Sequence, residues 1–101
     1  MDIHFTEQAL YSLDDVLYFL KYKQRLPSKK VKNIKTAILN GAKSLQPNPF
    51  KGQKEPFLGH YDLEYRRVII QHIKVIYRIE KETIIIVDIF DSRQSPDKMK
   101  S

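Results

Sequence analysis

The apolar residues of this chain change period once, and that change limits the fold more than any other feature. From Leu10 to Leu45 they recur at helical spacing; from Tyr65 to Phe90 they run in short blocks rich in β-branched and aromatic residues. A chain with amphipathic helices in one half and strands in the other buries the two kinds of face against each other, giving an α+β fold. Ile3 and Phe5 flank the polar His4 and predict a short first strand. Thr6 is placed to cap a helix, with Glu7 in its first turn. Leu10, Leu13, Leu17 and Leu20, widened by Val16, form the expected buried stripe. Tyr11, Tyr18 and Tyr22 form a second line that either flanks the core with its hydroxyls wet, the commoner outcome, or meets a partner. Leu26-Pro27 stops the pattern, because proline cannot continue a helix and restricts the residue before it. Ser28 is expected to cap a second helix. Its stripe is Val31, Ile34, Ile38, Ala42 and Leu45, with Lys29, Lys32 and Lys43 on the opposite side. Joined by so short a turn, the two helices make a hairpin.

Residues 47–59 hold Pro47, Pro49, Pro56, Gly52 and Gly59 and read as a loop, made basic by Lys51 and Lys54. Beyond it, Val68–Ile70, Val75–Ile79 and Ile84–Phe90 read as three strands. The polar breaks between them are short enough for hairpins, although neither carries an Asn-Gly signal. The run at 84–87 is apolar on both faces, as a central strand requires. The ordered chain is expected to end at Pro96, leaving a polar tail at 97–101, and residues 1–101 are expected to form one domain.

Several chemistries are excluded. Without cysteine there is no disulfide framework, thiol nucleophile or thiolate zinc site. Three scattered glycines make no phosphate loop, no histidine pair has helical metal-ligand spacing, and no serine sits in a nucleophile elbow. No metal or other cofactor is expected. No apolar run reaches the length of a membrane span, and Met1–His4 lacks the character of a secretion signal, so a cytoplasmic location is expected and no membrane partner. His4 and His72 read as ordinary surface residues. His60, beside Tyr61, is the one retained as a candidate proton carrier. Asp88 and Asp91 are expected to satisfy arginine or backbone donors.

The charge is segregated. Eighteen bases against twelve acids give +6, yet residues 1–20 carry four acids and no base. Residues 21–54 carry ten bases and no acid; residues 55–101 carry eight of each. The basic block either steers a polyanion or acidic protein, or is simply a solvated face. Arg66, Arg67, Lys74, Arg78 and Arg93 lie on or beside strands. Alternation places Lys74, Ile76 and Arg78 on one sheet face and Val75, Tyr77 and Ile79 on the core side. The first face is then either open and basic, fit for phosphodiesters or an acidic peptide, or paired with Glu64, Glu80 and Glu82.

Taken together, Tyr65–Ile70, His72–Ile79 with its KVIYRI core, and Ile84–Pro96 with its IFDSRQSP ending resemble the RelE/ParE toxins of bacterial type II toxin–antitoxin modules. The resemblance covers nearly the whole chain. It implies an α+β fold of strand–helix–helix–three strands, with the helical hairpin packed on a twisted, largely antiparallel sheet. It also implies a cognate antitoxin as partner and one of two targets: DNA gyrase in the ParE branch, or ribosome-bound mRNA, cleaved, in the RelE branch. In the cleaving branch Lys74 and Arg93 stand at catalytic basic positions. The tail after Arg93 has neither Tyr nor His, and its FDSRQSP ending is more like the ParE side. Arg66, Arg67, Arg78, Lys51, Lys54 and His60 are the accompanying candidates for binding. A basic interaction module without toxicity is the third reading.

Overall fold

The computed structural model describes residues 1–101. Strand β1 (Asp2–Phe5) leads into helix α1 (Glu7–Tyr18), which continues as a π-helical turn over Phe19–Lys23. Helix α2 (Ser28–Lys43) follows, then β2 (Gln53–Lys54), β3 (Arg66–Ile70), β4 (Ile73–Glu80) and β5 (Thr83–Asp91). Short 3-10 turns lie at Pro56–Leu58 and Pro96–Lys98. The strands form one sheet in the order β1-β5-β4-β3-β2, with β1 parallel to β5 and every other pair antiparallel. The expected α+β arrangement is present. The pair Gln53–Lys54 adds a fifth strand that two residues of loop sequence did not disclose.

Most of the core lies between the helical hairpin and the sheet. Ala9, Leu13, Val16 and Leu20 from the first helical segment and Ile34, Ile38, Ala42 and Leu45 from the second meet Ile73, Val75, Tyr77, Ile84, Ile86 and Ile89. The stripe of α1 therefore runs through Ala9 and Val16, while Leu10 faces outward at 49% exposure. The tyrosine line does not flank the core either: Tyr11, Tyr18 and Tyr22 are all more than half exposed. Thr6 caps α1 as expected, its hydroxyl accepting from the Ala9 N–H at 3.0 Å. Ser28 does not cap α2: the cap position falls on Pro27, and no side chain bonds the free N–H groups there. The chain instead turns at Arg25, which takes the left-handed conformation (φ 55°).

The opposite face of the sheet is not open. Leu58, Tyr65 and Met99 cluster with Ile76, Val87 and Phe90 on that side. The supposed free tail is thus anchored, with Met99 buried and the Lys100 N–H donating to Asp88 Oδ2 at 2.9 Å. Both β hairpins close with two residues, and in each the first, Gln71 or Lys81, has φ 56°. Between Ile76 and Tyr77 the register slips, so that Val87 is an extra residue in β5, a bulge that re-aims the strand end. No helix is long and apolar enough to cross a membrane.

Candidate functional site

The basic loop is fastened to the sheet by several strand side chains, Tyr77 at their centre. Tyr77 is fully buried, and its hydroxyl donates to the Pro49 carbonyl (2.7 Å) and accepts from the Gly52 N–H (3.0 Å). Burial holds this phenol above its ordinary pKa, so it stays a neutral hydrogen-bonding group. Gly52 is required at the contact, because a Cβ there would sit 2.5 Å from the Tyr77 hydroxyl and 2.6 Å from the Arg67 carbonyl. Arg66 closes the same loop by donating to the Gly52 carbonyl at 2.8 Å.

Lys74 lies in the middle of the second sheet face. Its ammonium donates to Glu55 Oε1 at 2.7 Å and stands 5.0 Å from the Phe57 ring centroid. Glu55 is fully buried; its other oxygen accepts from the Phe57 N–H, and Arg67 Nε approaches the first at 3.7 Å. Arg67 also donates to the Lys54 carbonyl. Glu55 is the residue that sequence reasoning missed. Its place just before Pro56 marks the start of a turn, but nothing local announces a partner nineteen positions away.

Arg93 follows β5, where its guanidinium folds back on Asp91 in a two-pronged pair, 2.9 Å to Oδ1 and 2.6 Å to Oδ2. These bonds hold the Asp91 carboxyl below its usual range and raise the guanidinium further. Asp88 behaves oppositely, with burial raising its pKa against the backbone N–H groups of Ile89 and Lys100 that its oxygens accept. Asp88, Asp91 and Arg93 line an open groove of about 860 Å³ whose other wall is Ser12, Val16 and Phe19. The groove exists because β1 ends opposite Ile86, leaving the last part of β5 without a neighbour on that edge.

The remaining candidates are dispersed. Arg66 pairs with Glu64 at 3.0 Å and Arg78 with Glu80 at 2.7 Å; together they line a smaller groove of about 270 Å³ with Phe50 and Leu63. Lys54 also pairs with Glu64, and that hydrogen bond is the chief cause of the lowered Glu64 pKa. Lys51 donates to the Ser44 hydroxyl. His60 is exposed, its ring 4.2 Å from that of Tyr61. The structure therefore joins Lys74 to Arg67 and Arg66 to Arg78, and sets Arg93 and His60 apart. It also displays the tyrosine line on the outside, the partner-facing alternative of the two its spacing allowed. Leu10, Tyr11, Tyr18, Phe19 and Tyr22 are all exposed along α1 and its π-helical extension, with the Tyr18 and Tyr22 rings 4.7 Å apart.

Comparison with known proteins gives a consistent picture. A family model described as "ParE toxin of type II toxin-antitoxin system, parDE" matches residues 3–96. Among solved structures, a chain of the "Chromosomal ParDE TA system from P. aeruginosa" superposes with a TM-score of 0.70 at 18% identity, covering 90% of this chain and 95% of that one. At that identity the likeness speaks for the fold. No curated protein sequence matches this one.

Proposed function

The chain belongs to the ParE toxin family of type II toxin–antitoxin systems, and from that premise we propose that it inhibits growth by binding and poisoning DNA gyrase until a cognate antitoxin covers it. The observation that carries this choice of target is the internal neutralisation of both cations a nuclease would use. Cleavage by a ribose hydroxyl needs proton-transfer groups and free positive charge at the phosphate. Lys74 is buried on Glu55, Arg93 is clamped by Asp91, and residues 94–101 hold neither Tyr nor His. What the molecule does present is amphipathic aromatic surface on α1, the side-chain type that anchors protein–protein contacts. Arg93, half exposed at the mouth of the groove and held in fixed orientation, offers the Nη1 donors that Asp91 does not use as the polar contact of this reading.

The test uses the purified chain in two assays. In a gyrase supercoiling reaction, supercoiled product is lost and cleaved DNA accumulates; in a translation-coupled assay, message stays intact. Arg93→Ala lowers the gyrase effect tenfold or more in a variant that circular dichroism shows to be folded, although stripping the buried Asp91 carboxylate of its two side-chain donors costs about 1–3 kcal/mol. Co-expression of the gene product encoded beside the toxin restores growth. Cleaved message with unaffected gyrase overturns the proposal.

A further inference from the structure

We propose that the outward face of α2 binds the phosphodiester backbone of duplex DNA, lying across the major groove and contacting both of its rims. Ile34, Ile38 and Ala42 turn one side of this helix into the core. The opposite side carries Lys29, Lys32, Asn33, Thr36, Asn40 and Lys43, all exposed. No acid occurs anywhere between Lys21 and Lys54. The six ion pairs of the chain use Lys54, Arg66, Arg67, Lys74, Arg78 and Arg93, so none of the helix lysines is matched by a carboxylate. Thr36 bonds the Lys32 carbonyl, which leaves the lysines and the two asparagine amides as the free donors of the face.

The composition of this face selects its ligand. A protein partner needs apolar or aromatic anchors that can be desolvated, and the outward side of α2 has none; they lie on α1. Single-stranded nucleic acid is held by stacking on aromatic rings, which are equally absent. Lysine and asparagine donors on a regular helix suit a phosphate backbone. Spacing narrows the choice further. Lys32 and Lys43 are separated by eleven residues, about 16 Å along the axis. That spans the major groove of B-DNA, about 12 Å wide, so that Lys29 and Lys32 reach one rim and Lys43 the other. Duplex RNA, whose major groove is deep and narrow, offers no such pair of rims. The proposal does not rest on gyrase as target, since it concerns this chain and DNA alone.

Fluorescence anisotropy of the purified chain with a labelled duplex of about 20 base pairs, starting near 50 mM salt, tests it. The parent binds, and its affinity falls steeply with salt. The triple variant Lys29→Glu/Lys32→Glu/Lys43→Glu binds at least tenfold more weakly, and its log–log salt slope is shallower by about 3, one for each lost phosphate contact. A control triple, Lys81→Glu/Lys98→Glu/Lys100→Glu, brings the net charge from +6 to the same value of zero yet stays within threefold of the parent. Circular dichroism and Tm establish that both variants are folded. Equal weakening by the two triples would reduce the effect to net charge and overturn the proposal. So would tighter binding of a single strand or an RNA duplex of the same length, displacement by polyglutamate as effective as by DNA, or no binding by the parent.

Discussion

Removing the charge of Glu55 tests the structural account most severely, because that carboxylate is fully buried and Lys74 is nearly so. Glu55→Gln leaves an ammonium in the sheet face with no counter-charge and takes the partner from Arg67 Nε, already short of a hydrogen bond. Breaking a buried pair from one side costs about 3–5 kcal/mol; the cation–π contact with Phe57 moderates this, so we expect about 3 kcal/mol. For a domain of this length that corresponds to a fall in Tm of about 12–24 °C. Lys74→Met costs less, about 1.5 kcal/mol, because Glu55 keeps the Phe57 N–H and can draw Arg67 closer from 3.7 Å. The double variant Glu55→Gln/Lys74→Met is less destabilised than the two single effects together, with a coupling of about 2–3 kcal/mol. Urea unfolding at constant m measures all three. Additive single effects, with coupling under about 0.5 kcal/mol, would mean that the pair is not formed as described. The double variant also speaks to function: if Lys74 is structural, it inhibits gyrase as the parent does, and a folded but inactive double variant refutes that assignment.

Further outcomes follow from the contacts. Tyr77→Phe strands the Gly52 N–H and the Pro49 carbonyl and lowers stability by about 1–3 kcal/mol. Gly52→Ala lowers it by at least as much, and Tyr77→Phe does not rescue it, because the Arg67 carbonyl still obstructs the methyl group; calorimetry of the single and double variants checks both. Asp91 has its folded-state pKa depressed by Arg93, so its contribution is present above the unfolded carboxylate value, about 3.9, and is lost as pH falls through the folded one. The stability gap between parent and Arg93→Ala, about 1–3 kcal/mol at neutral pH because the Asp91 carboxylate is buried, therefore closes on acidification, as urea midpoints across the acid range would show. Asp88, raised by burial, contributes with the opposite sign: it favours the folded state at acid pH and ceases to as pH rises through its folded value.

The periodicity made the two helices and three main strands legible, since each buries a face long enough to leave its imprint. It failed where two solutions share one spacing. Leu10 and Ala9 both extend a stripe through Leu13 and Leu20, and hydrophobicity favours the leucine. The sheet takes the alanine, the smaller residue, and leaves Leu10 beside Tyr11 on the outside. The turns were hidden for another reason. Gln71 and Lys81 adopt a conformation normally left to Gly or Asn, a local cost of about 1–3 kcal/mol met by the strands they join. The Ser28 cap was a reasonable local choice, but the Pro27 turn set the start of α2 one residue earlier. Arg93, Lys74 and the other candidate cations could be named from sequence. Their partners could not, because Glu55 meets Lys74 only after the loop folds over the sheet.

Those partners explain the charge segregation seen along the chain. The half from 55 to 101 sums to zero, and its cations are largely answered within the fold: Lys74 by Glu55, Arg66 by Glu64, Arg78 by Glu80 and Arg93 by Asp91. The exposed pairs of Arg66 and Arg78 contribute little stability, but together with the buried pair of Lys74 and the clamped Arg93 they cancel the field over the sheet. The positive field of the molecule therefore arises from the loop and helix between residues 21 and 54. Within the hairpin, α1 carries Glu7, Asp14 and Asp15 together with exposed aromatics, whereas α2 carries unopposed lysines. A single polyanion cannot be drawn to both helices, and a single apolar partner finds anchors on only one. The hairpin thus has two separately addressed sides, one suited to an aromatic protein contact that salt hardly affects and one to a phosphate contact that salt abolishes.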